Sequence, residues 1–168
     1  ADGVTAILRR TPGFVRLRIS PIYMVETPAD PAKEPCFQEN VLLIDMNHLS
    51  DSIKGYYWEF PCHINGQPFV NRGLVMGPLR GSKKLLHDIL QERGVDCKVT
   101  DIKAWPISHF SPGSRLSQPR MLLVGDAMGS DPLFSEGISQ ALAGGRLAAE
   151  SLDQAFKSHD LSFRGYTR

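Results

Sequence analysis

The stretch Arg120-Met121-Leu122-Leu123-Val124-Gly125-Asp126-Ala127 is the most informative part of the sequence. Four consecutive apolar residues predict a buried strand that ends at Gly125. A glycine at that point lets a ligand approach the backbone closely, because no side chain stands in the way. Asp126 would then follow the carboxyl end of a strand, which is where α/β folds bind ligands. Its carboxylate is suited to accept hydrogen bonds from sugar-like hydroxyl groups.

Downstream of this stretch the sequence predicts a loop and then a long helix. Asp131-Pro132 turns the chain, and Gly137-Ile138 opens an alanine-rich helix that extends to about Phe156. The amino terminus of a helix carries about +0.5 charge and attracts anions or polarised carbonyls. A flavin needs both features, since its ribityl hydroxyls require an acceptor and its reduced ring is negatively charged. Gly144-Gly145 costs about 1 kcal/mol per glycine relative to alanine, which predicts close packing against a cofactor or a second element.

Upstream of the stretch most of the chain has strand patterns. Residues 14–25 alternate apolar and polar side chains, residues 26–35 are proline-rich and acidic and predict a surface loop, and Val41–Met46 predicts a further strand. Residues 55–76 predict an antiparallel hairpin, because Asn65-Gly66 is a strong two-residue turn signal. A helix is expected from Lys83 to Arg93, capped by Ser82 and ended by Gly94. Lys98–Pro106 predicts one more strand, so the fold class is α+β.

Composition excludes several functional classes. The chain has 168 residues, 42% of them hydrophobic, and a net charge of +1, which favours neither nucleic acid nor an anionic membrane as a partner. Its apolar runs are far shorter than the ~20 residues of a membrane-spanning helix. The three cysteines are widely spaced, and no histidine pair has metal-ligand spacing, so we expect reduced thiols, no metal site and a cytoplasmic protein. Ser135 is not in a G-x-S-x-G elbow, which argues against a hydrolase, and no catalytic residue is predicted.

Three motifs in order resemble one family of FAD-dependent oxidoreductases, the group that includes geranylgeranyl reductases, aromatic hydroxylases and flavin halogenases. Gly125-Asp126 with Pro132 and Glu136-Gly137-Ile138 resembles the GD motif that binds the ribityl chain of FAD. Ala1-Asp2-Gly3 with Arg9-Arg10 resembles a second cofactor motif, except that Ala6 stands where serine is usual. Residues 55–61, with Asn71-Arg72-Gly73, resemble the Tyr-x-Trp-x-Phe-Pro…Asn-x-Gly pattern of the geranylgeranyl reductase branch.

The resemblance implies a division of the chain and a set of site residues. Residues 1–10 would end a cofactor segment, residues 11–106 would form an antiparallel substrate-side sheet with one helix, and residues 107–168 would form the carboxy-terminal strand–loop–helix part of an FAD/NAD(P)-binding domain of the glutathione-reductase type. The expected cofactor-binding residues are Gly125, Asp126, Ala127, Pro132, Gly137, Ile138, Asp2, Gly3 and Arg9. The expected substrate-binding residues are Tyr56, Trp58, Phe60 and Pro61, of which Pro61 is predicted to end its strand. Tyr56, Trp58 and Phe60 share one face of a strand, an arrangement that core packing explains equally well.

The resemblance also implies a reaction and a missing partner. The leading expectation is the reduction of isoprenoid double bonds with FAD as the cofactor. NAD(P)H or another reductant would be the electron donor, and the substrate would be a small apolar or aromatic molecule. Hydroxylation or halogenation by a flavin monooxygenase or halogenase of the same fold is the alternative, and peripheral membrane contact is compatible with an isoprenoid substrate. No G-x-G-x-x-G turn occurs in the chain, so we expect a fragment that lacks the amino-terminal nucleotide-binding segment. A non-catalytic remnant or binding module is the alternative from another class.

Overall fold

The computed structural model describes residues 13–14, 18–46, 55–76, 83–129 and 137–166. The predictions for Asp2, Gly3, Arg9 and Pro132 lie outside these residues. The chain divides into two compact units, one made of residues 20–106 and the other of residues 1–19 with 107–168. The functional roles that the sequence assigns to these segments remain predictions.

A five-stranded sheet forms most of the first of these units. Its strands are β1 (Arg18–Pro28), β2 (Leu43–Asp45), β3 (Gly55–Ile64), β4 (Gln67–Met76) and β5 (Lys103–His109), in the order β2-β3-β4-β1-β5. β4 pairs antiparallel with both β1 and β3, and β2 pairs antiparallel with β3. The predicted hairpin is confirmed. Asn65 and Gly66 both have positive φ, 51° and 76°, as a type I′ turn requires.

One face of this sheet is covered by helix α2 (Lys83–Glu92), as the apolar periodicity predicted. Leu86, Ile89 and Leu90 are buried on the helix side of this core. The sheet side consists of Val25, Tyr57 and Leu74, and Ile102 completes the cluster. Gly94 follows the helix with φ of +73°, a conformation in which glycine ends helices readily. A short helix α1 (Pro35–Gln38) lies in the connection between β1 and β2.

Three strand boundaries in this unit differ from the predictions. β1 continues to Pro28, because residues 26–28 pair with residues 69–71 of β4, so the predicted loop at 26–35 begins too early. Only Leu43–Asp45 of the predicted strand 41–46 pairs with β3. The last predicted strand begins at Lys103 rather than Lys98, since Val99–Asp101 forms a 3₁₀ turn closed by a hydrogen bond from the Lys98 N–H to Asp101.

In the other unit, helix α3 (Ile138–Ser158) confirms the predicted long helix and ends at His159, whose φ is +55°. The predicted buried strand Arg120–Gly125 is wrong. Only β7 (Met121–Leu122) is extended, and it pairs with β6 (Ser117–Gln118). Arg120 has a φ of +62°, which breaks an extended strand before it begins.

A small core and hydrogen bonds between its segments hold the described part of this unit together. Phe14, Leu123 and Ala127 are buried together, with Met121 against them. The segment after α3 is tied to the β6–β7 region, through Arg120 N–H to Leu161 O (2.8 Å), Ser117 Oγ to Phe163 O (3.0 Å) and Tyr166 OH to Leu123 O (3.0 Å). This anchoring fixes the backbone immediately before Gly125-Asp126.

Candidate functional site

The predicted cofactor motif Gly125-Asp126-Ala127 folds as a single 3₁₀ turn. Gly125 has a φ of +60°, a conformation that L-residues adopt at a cost, and the Met128 N–H donates to its carbonyl at 2.7 Å. Ala127 is buried in the small core, whereas Asp126 is exposed. The turn therefore exposes the Asp126 carboxylate to solvent, while the buried Ala127 anchors the turn in the small core.

Two contacts support this turn, and the sequence predicted neither of them. Ser108, a buried residue of β5, donates a hydrogen bond from Oγ to the Asp126 carbonyl at 2.9 Å. A Cβ added at Gly125 would lie 3.6 Å from Ala141 Cβ, so the first turn of α3 packs beside the motif. The only sequence signal for Ser108 is a small polar residue in a strand, which is a weak signal because such residues are common on sheet surfaces.

Helix α3 begins at the motif as predicted. Its N-cap is Gly137, which has no side chain to cap the first N–H groups, and Ile138 is largely exposed at the first position. The positive end of the α3 dipole lies at Gly137-Ile138. The structure thus brings Gly125, Asp126, Ala127, Gly137 and Ile138 into one region.

The two glycines of α3 have different surroundings. Gly144 is buried, and a Cβ there would lie 3.7 Å from atoms of Val124 and Met128, which are ordinary contacts. Among the described residues, no heavy atom lies within 4 Å of such a Cβ at Gly145. An alanine would therefore fit at either position, and packing between the described residues does not require a glycine at 144 or at 145.

Tyr56, Trp58 and Phe60 lie on the face of the sheet opposite α2. Tyr57, between them, is fully buried against the helix, and successive side chains of a strand point to opposite faces. Phe60 is exposed, as is Ile44, which pairs with Trp58 across β2 and β3. These side chains form an open aromatic face, and its role as a substrate surface remains a prediction.

Trp58 is held on the open aromatic face by the two motif residues on β4. It pairs with Gly73, and a Cβ added at Gly73 would lie 2.0 Å from Trp58 Cζ2, so the indole lies directly on the glycine. The indole N–H donates to Asn71 Oδ1 at 2.9 Å, and Asn71 Nδ2 in turn lies 3.4 Å from Glu26 Oε1. The separated parts of the Tyr-x-Trp-x-Phe-Pro…Asn-x-Gly pattern thus form one packed unit.

Pro61 does not behave as predicted. β3 continues past it to Ile64, so the expectation that Pro61 ends the strand is wrong. Counting from the Ile64–Gln67 pair that closes the turn, Pro61 and Val70 are a non-hydrogen-bonded pair, so the missing N–H would face the β2 side. β2 pairs only as far as Glu59, so no ladder hydrogen bond is lost there. Alternation also places Pro61 on the α2 face, away from Tyr56, Trp58 and Phe60.

A charged cluster that the sequence did not reveal lies on the α2 face, beyond the apolar core. The Arg72 side chain is only 3% exposed, and it pairs with Glu34 at 2.8 Å and with Glu59 at 3.5 Å. Burial alone would lower the pKa of Arg72, but the hydrogen bond to Glu34 and the charge of Glu59 outweigh it and raise that pKa. The guanidinium of Arg93 lies 4.6 Å from the ring centre of Tyr57. This cluster joins α1 and the end of α2 to the sheet.

The described residues offer few groups with the features of a nucleophile or metal ligand. Burial is the main cause that raises the pKa of Cys36, Cys62 and Cys97, which favours the neutral thiol. Within the described ranges no group of three or more His, Cys, Asp or Glu side chains has the arrangement of a metal site. In the same ranges, no helix has both the length and the apolar character needed to span a bilayer.

Comparison with known proteins gives distant similarity to a set of reductases. A digeranylgeranylglycerophospholipid reductase of Methanothrix thermoacetophila is 29% identical over 116 residues, 66% of this chain and 29% of the relative. A second protein of that name, from Methanopyrus kandleri, is 26% identical over 96% of this chain and 42% of its own length. Conditioned medium factor receptor 1 of Dictyostelium discoideum is 51% identical over 49 residues, 29% of the chain. No protein-family model matches the sequence.

The chain thus spans less than a third of the first of these relatives. The similarity supports, at most, a distant relation to the geranylgeranyl reductases, and at a coarse level an oxidoreductase.

Proposed function

We propose that this chain is part of an FAD-dependent reductase of the geranylgeranyl reductase type, in which it holds the ribityl part of the cofactor and binds an apolar isoprenoid chain. The observation that carries the proposal is the packed unit of Trp58, Asn71 and Gly73 on the open aromatic face. It gives a rigid aromatic surface to the same residues that resemble the motif of this branch, in a chain whose distant relatives are named as reductases.

The residues around Gly125-Asp126 fit the ribityl part of FAD. The Asp126 carboxylate is exposed and is suited to accept hydrogen bonds from ribityl hydroxyls, while the positive end of the α3 dipole favours the negative charge of a reduced flavin. Ser108 would keep the turn in place through its bond to the Asp126 carbonyl. When bound, FAD supplies the ability to accept a hydride and deliver it to a carbon–carbon double bond.

The aromatic surface fits an apolar substrate better than a polar one. Tyr56 and Trp58 lie 6.1 Å apart between ring centres and continue towards Phe60 and Ile44 on the same face. Burial of these side chains against an isoprenoid chain would contribute about 25 cal/mol per Å² of apolar surface. Exposure of the same side chains is compatible with peripheral contact with a membrane that contains the substrate, and NAD(P)H is the proposed electron donor.

A flavin monooxygenase or halogenase is the second candidate, because it would use the same cofactor turn. The reductase is preferred because the distant relatives are named as reductases, and because Trp58, Asn71 and Gly73 belong to the pattern that resembles the motif of that branch. A binding module without catalysis remains the candidate from another class, and it predicts lipid binding without any response to FAD.

Both halves of the proposal are tested by amide NMR of the ¹⁵N-labelled chain. FAD should shift the amide signals of residues 125–127 and 137–138, even if binding is weak. Asp126→Asn should weaken this response by about tenfold, because a hydrogen bond to a charged group contributes roughly 1.5–3 kcal/mol. Asp153→Asn, a change of another exposed aspartate in the same unit, is the matched control. Equal responses for the two variants would contradict the role of Asp126.

The substrate surface is tested in the same spectra with geranylgeraniol. The two tryptophans give separate indole N–H signals, and that of Trp58 is hydrogen-bonded to Asn71. We expect geranylgeraniol to shift the Trp58 signal and a sugar alcohol to leave it unchanged. A geranylgeraniol response that is absent, or that persists unchanged in Trp58→Ala when followed on backbone amides, would refute the proposed surface.

A further inference from the structure

The open aromatic face is built from rows of side chains that lie beside one another on neighbouring strands. Directly paired residues of antiparallel strands point to the same side of a sheet. The pairing of β4 with both β3 and β1 therefore gives four rows on this face. In order along the strands they are Tyr56–Val75–Ile22, Trp58–Gly73–Met24, Phe60–Asn71–Glu26 and Cys62–Phe69–Pro28. Of these, the third row is the one that contains an amide and a carboxylate.

Lys103 of β5 extends the third row. Its ammonium nitrogen lies 3.1 Å from Oε2 of Glu26, and Oε1 of Glu26 lies 3.4 Å from Nδ2 of Asn71. Asn71 also accepts the indole N–H of Trp58 at 2.9 Å. Asn71, Glu26 and Lys103, here called the polar row, thus form a connected set of polar groups on β4, β1 and β5 that begins at the Trp58 indole.

The polar row becomes more accessible to solvent from Asn71 towards Lys103. Asn71 is buried, whereas the side chains of Glu26 and Lys103 are 22% and 58% exposed. Partial burial of a carboxylate on an apolar surface is unfavourable unless hydrogen-bond donors replace the lost water. Asn71 and Lys103 do so for Glu26. A carboxylate has about four acceptor sites, and these two donors account for two of them, so Glu26 can accept a further hydrogen bond.

The charges of the polar row favour a neutral head group over an anionic one. Glu26 and Lys103 carry opposite charges that sum to zero. A phosphate on this pair would place additional negative charge beside the Glu26 carboxylate, which is unfavourable. A hydroxyl group suits both residues, because it donates one hydrogen bond and accepts others. An ether oxygen can accept from Lys103 but has no hydrogen to donate to Glu26.

The neighbouring row provides the apolar part of the same site. Trp58 and Met24 are adjacent to the polar row along β3 and β1. Each residue advances a strand by about 3.3 Å, so successive rows are roughly 7 Å apart. A ligand whose hydroxyl lies on the polar row would therefore place the first part of its carbon chain over the Trp58 indole.

We propose that the polar row binds the hydroxyl head group of an amphiphilic ligand. Glu26 accepts a hydrogen bond from the hydroxyl, Lys103 donates one to it, and the carbon chain lies over Trp58 and Met24. This inference rests on the proposed substrate surface. It adds the chemistry of the head group and identifies Glu26 and Lys103 as specificity-determining residues.

The test compares three ligands with the same short carbon chain, namely geraniol, geranyl methyl ether and geranyl phosphate. Binding to the full ¹⁵N-labelled chain is followed on the Trp58 indole N–H and on the backbone amides of β1 and β4. Geraniol should bind about tenfold more tightly than the ether, because only the alcohol donates a hydrogen bond to the charged Glu26. Geraniol should also bind more tightly than the phosphate, because the phosphate is repelled by Glu26.

Two variants separate the roles of the charged residues. Glu26→Gln should reduce the preference for the alcohol over the ether several-fold, since the acceptor loses its charge. Lys103→Met should weaken the alcohol and the ether alike, because both accept from the ammonium. Asp88→Asn changes an ion-paired carboxylate on α2, which covers the other face of the sheet, and is the matched control. Unchanged amide signals of the β3–β4 hairpin in the absence of ligand would show that each variant is folded.

The outcomes distinguish this proposal from the proposed function. Equal affinities for geraniol and its methyl ether would overturn the head-group site but retain the apolar surface, since the shared carbon chain would still bind. Tighter binding of the phosphate would overturn it as well, and would indicate an anionic head group. A preference for the alcohol that persists unchanged in Glu26→Gln would show that Glu26 and Lys103 form a surface ion pair only. Loss of all three responses would refute the substrate surface together with the head-group site.

Discussion

Replacement of Gly73 by alanine should destabilise the sheet through a single overlap. The added Cβ would lie 2.0 Å from Cζ2 of Trp58 and 2.5 Å from Cε2 and Cη2, far inside van der Waals contact. β4 is flanked by β1 on one side and β3 on the other, so its backbone has little freedom to shift. Trp58 must therefore leave its position, and its hydrogen bond to Asn71 would be lost.

The expected cost follows from three contributions. Overpacking of a fixed site costs about 1–3 kcal/mol. Loss of a hydrogen bond to a partly buried amide adds about 1 kcal/mol. Alanine is favoured over glycine in a strand by roughly 0.5–1 kcal/mol, which offsets part of this. The free energy of unfolding should thus fall by roughly 1–3.5 kcal/mol.

Urea denaturation followed by circular dichroism measures this change, and the midpoint should fall by about 1 M for an m-value near 2 kcal/mol/M. The double variant Gly73→Ala/Trp58→Ala is the control, because alanine at position 73 should cost nothing once the indole is absent. An unchanged midpoint for Gly73→Ala, or an equal loss in the Trp58→Ala background, would refute the reasoning.

Three further changes test other parts of the structure. Arg72→Met should lower the free energy of unfolding by about 3–5 kcal/mol, because it leaves Glu34 and Glu59 without their buried partner. Lys157→Met, which removes an exposed ion pair, should change the free energy of unfolding by less than about 0.5 kcal/mol. Similar urea midpoints for the two variants would contradict the role of the cluster. Burial, with the hydrogen bond to Glu59, raises the pKa of Tyr57, so the folded state keeps a proton that the unfolded chain loses above about pH 10. Stability should therefore decline as the pH rises beyond that value, and Tyr57→Phe should reduce the decline in denaturation curves measured at several alkaline pH values; an identical slope in both proteins would count against it. Ser108→Ala should weaken the FAD-induced shifts of the amide signals of residues 125–127. Ser108→Thr retains a hydroxyl and should preserve more of these shifts. Equal shifts in the two variants would show that the hydrogen bond to Asp126 does not position the turn.

The sequence predicted the elements whose formation depends on local chemistry. The hairpin at Asn65-Gly66 and the helices α2 and α3 are each specified by their own residues, through positive φ, apolar periodicity and terminal glycines. The two-residue β7 and the late start of β5 could not be predicted in this way, because pairing with distant strands decides where a strand begins. Pro61 is a similar case, since its tolerance depends on where β2 stops.

In the candidate site, too, some features could be predicted from local sequence and others depend on contacts between distant segments. The alternation of Tyr56, Trp58 and Phe60 was visible in the sequence, but the contact of Trp58 with Gly73 depends on the register of β3 and β4. Ser108 reaches Asp126 from a strand that ends well before the motif, and Arg72 finds Glu34 across a long connection. Such contacts become visible only in three dimensions.

The strand order also has a consequence for the time course of folding. β3 and β4 are joined by a two-residue turn, whereas β5 takes its place beside β1 only after α1, β2, β3, β4 and α2 have intervened in the chain. Closing a short loop costs less entropy than closing a long one, so the β3–β4 hairpin should form early and the β5 edge late. Amide protons of β5 should then exchange with solvent through partial opening while those of β4, in the middle of the sheet, exchange only on complete unfolding. Because Ser108 belongs to β5, the support of the Gly125-Asp126 turn would be among the last features to assemble and the first to be lost.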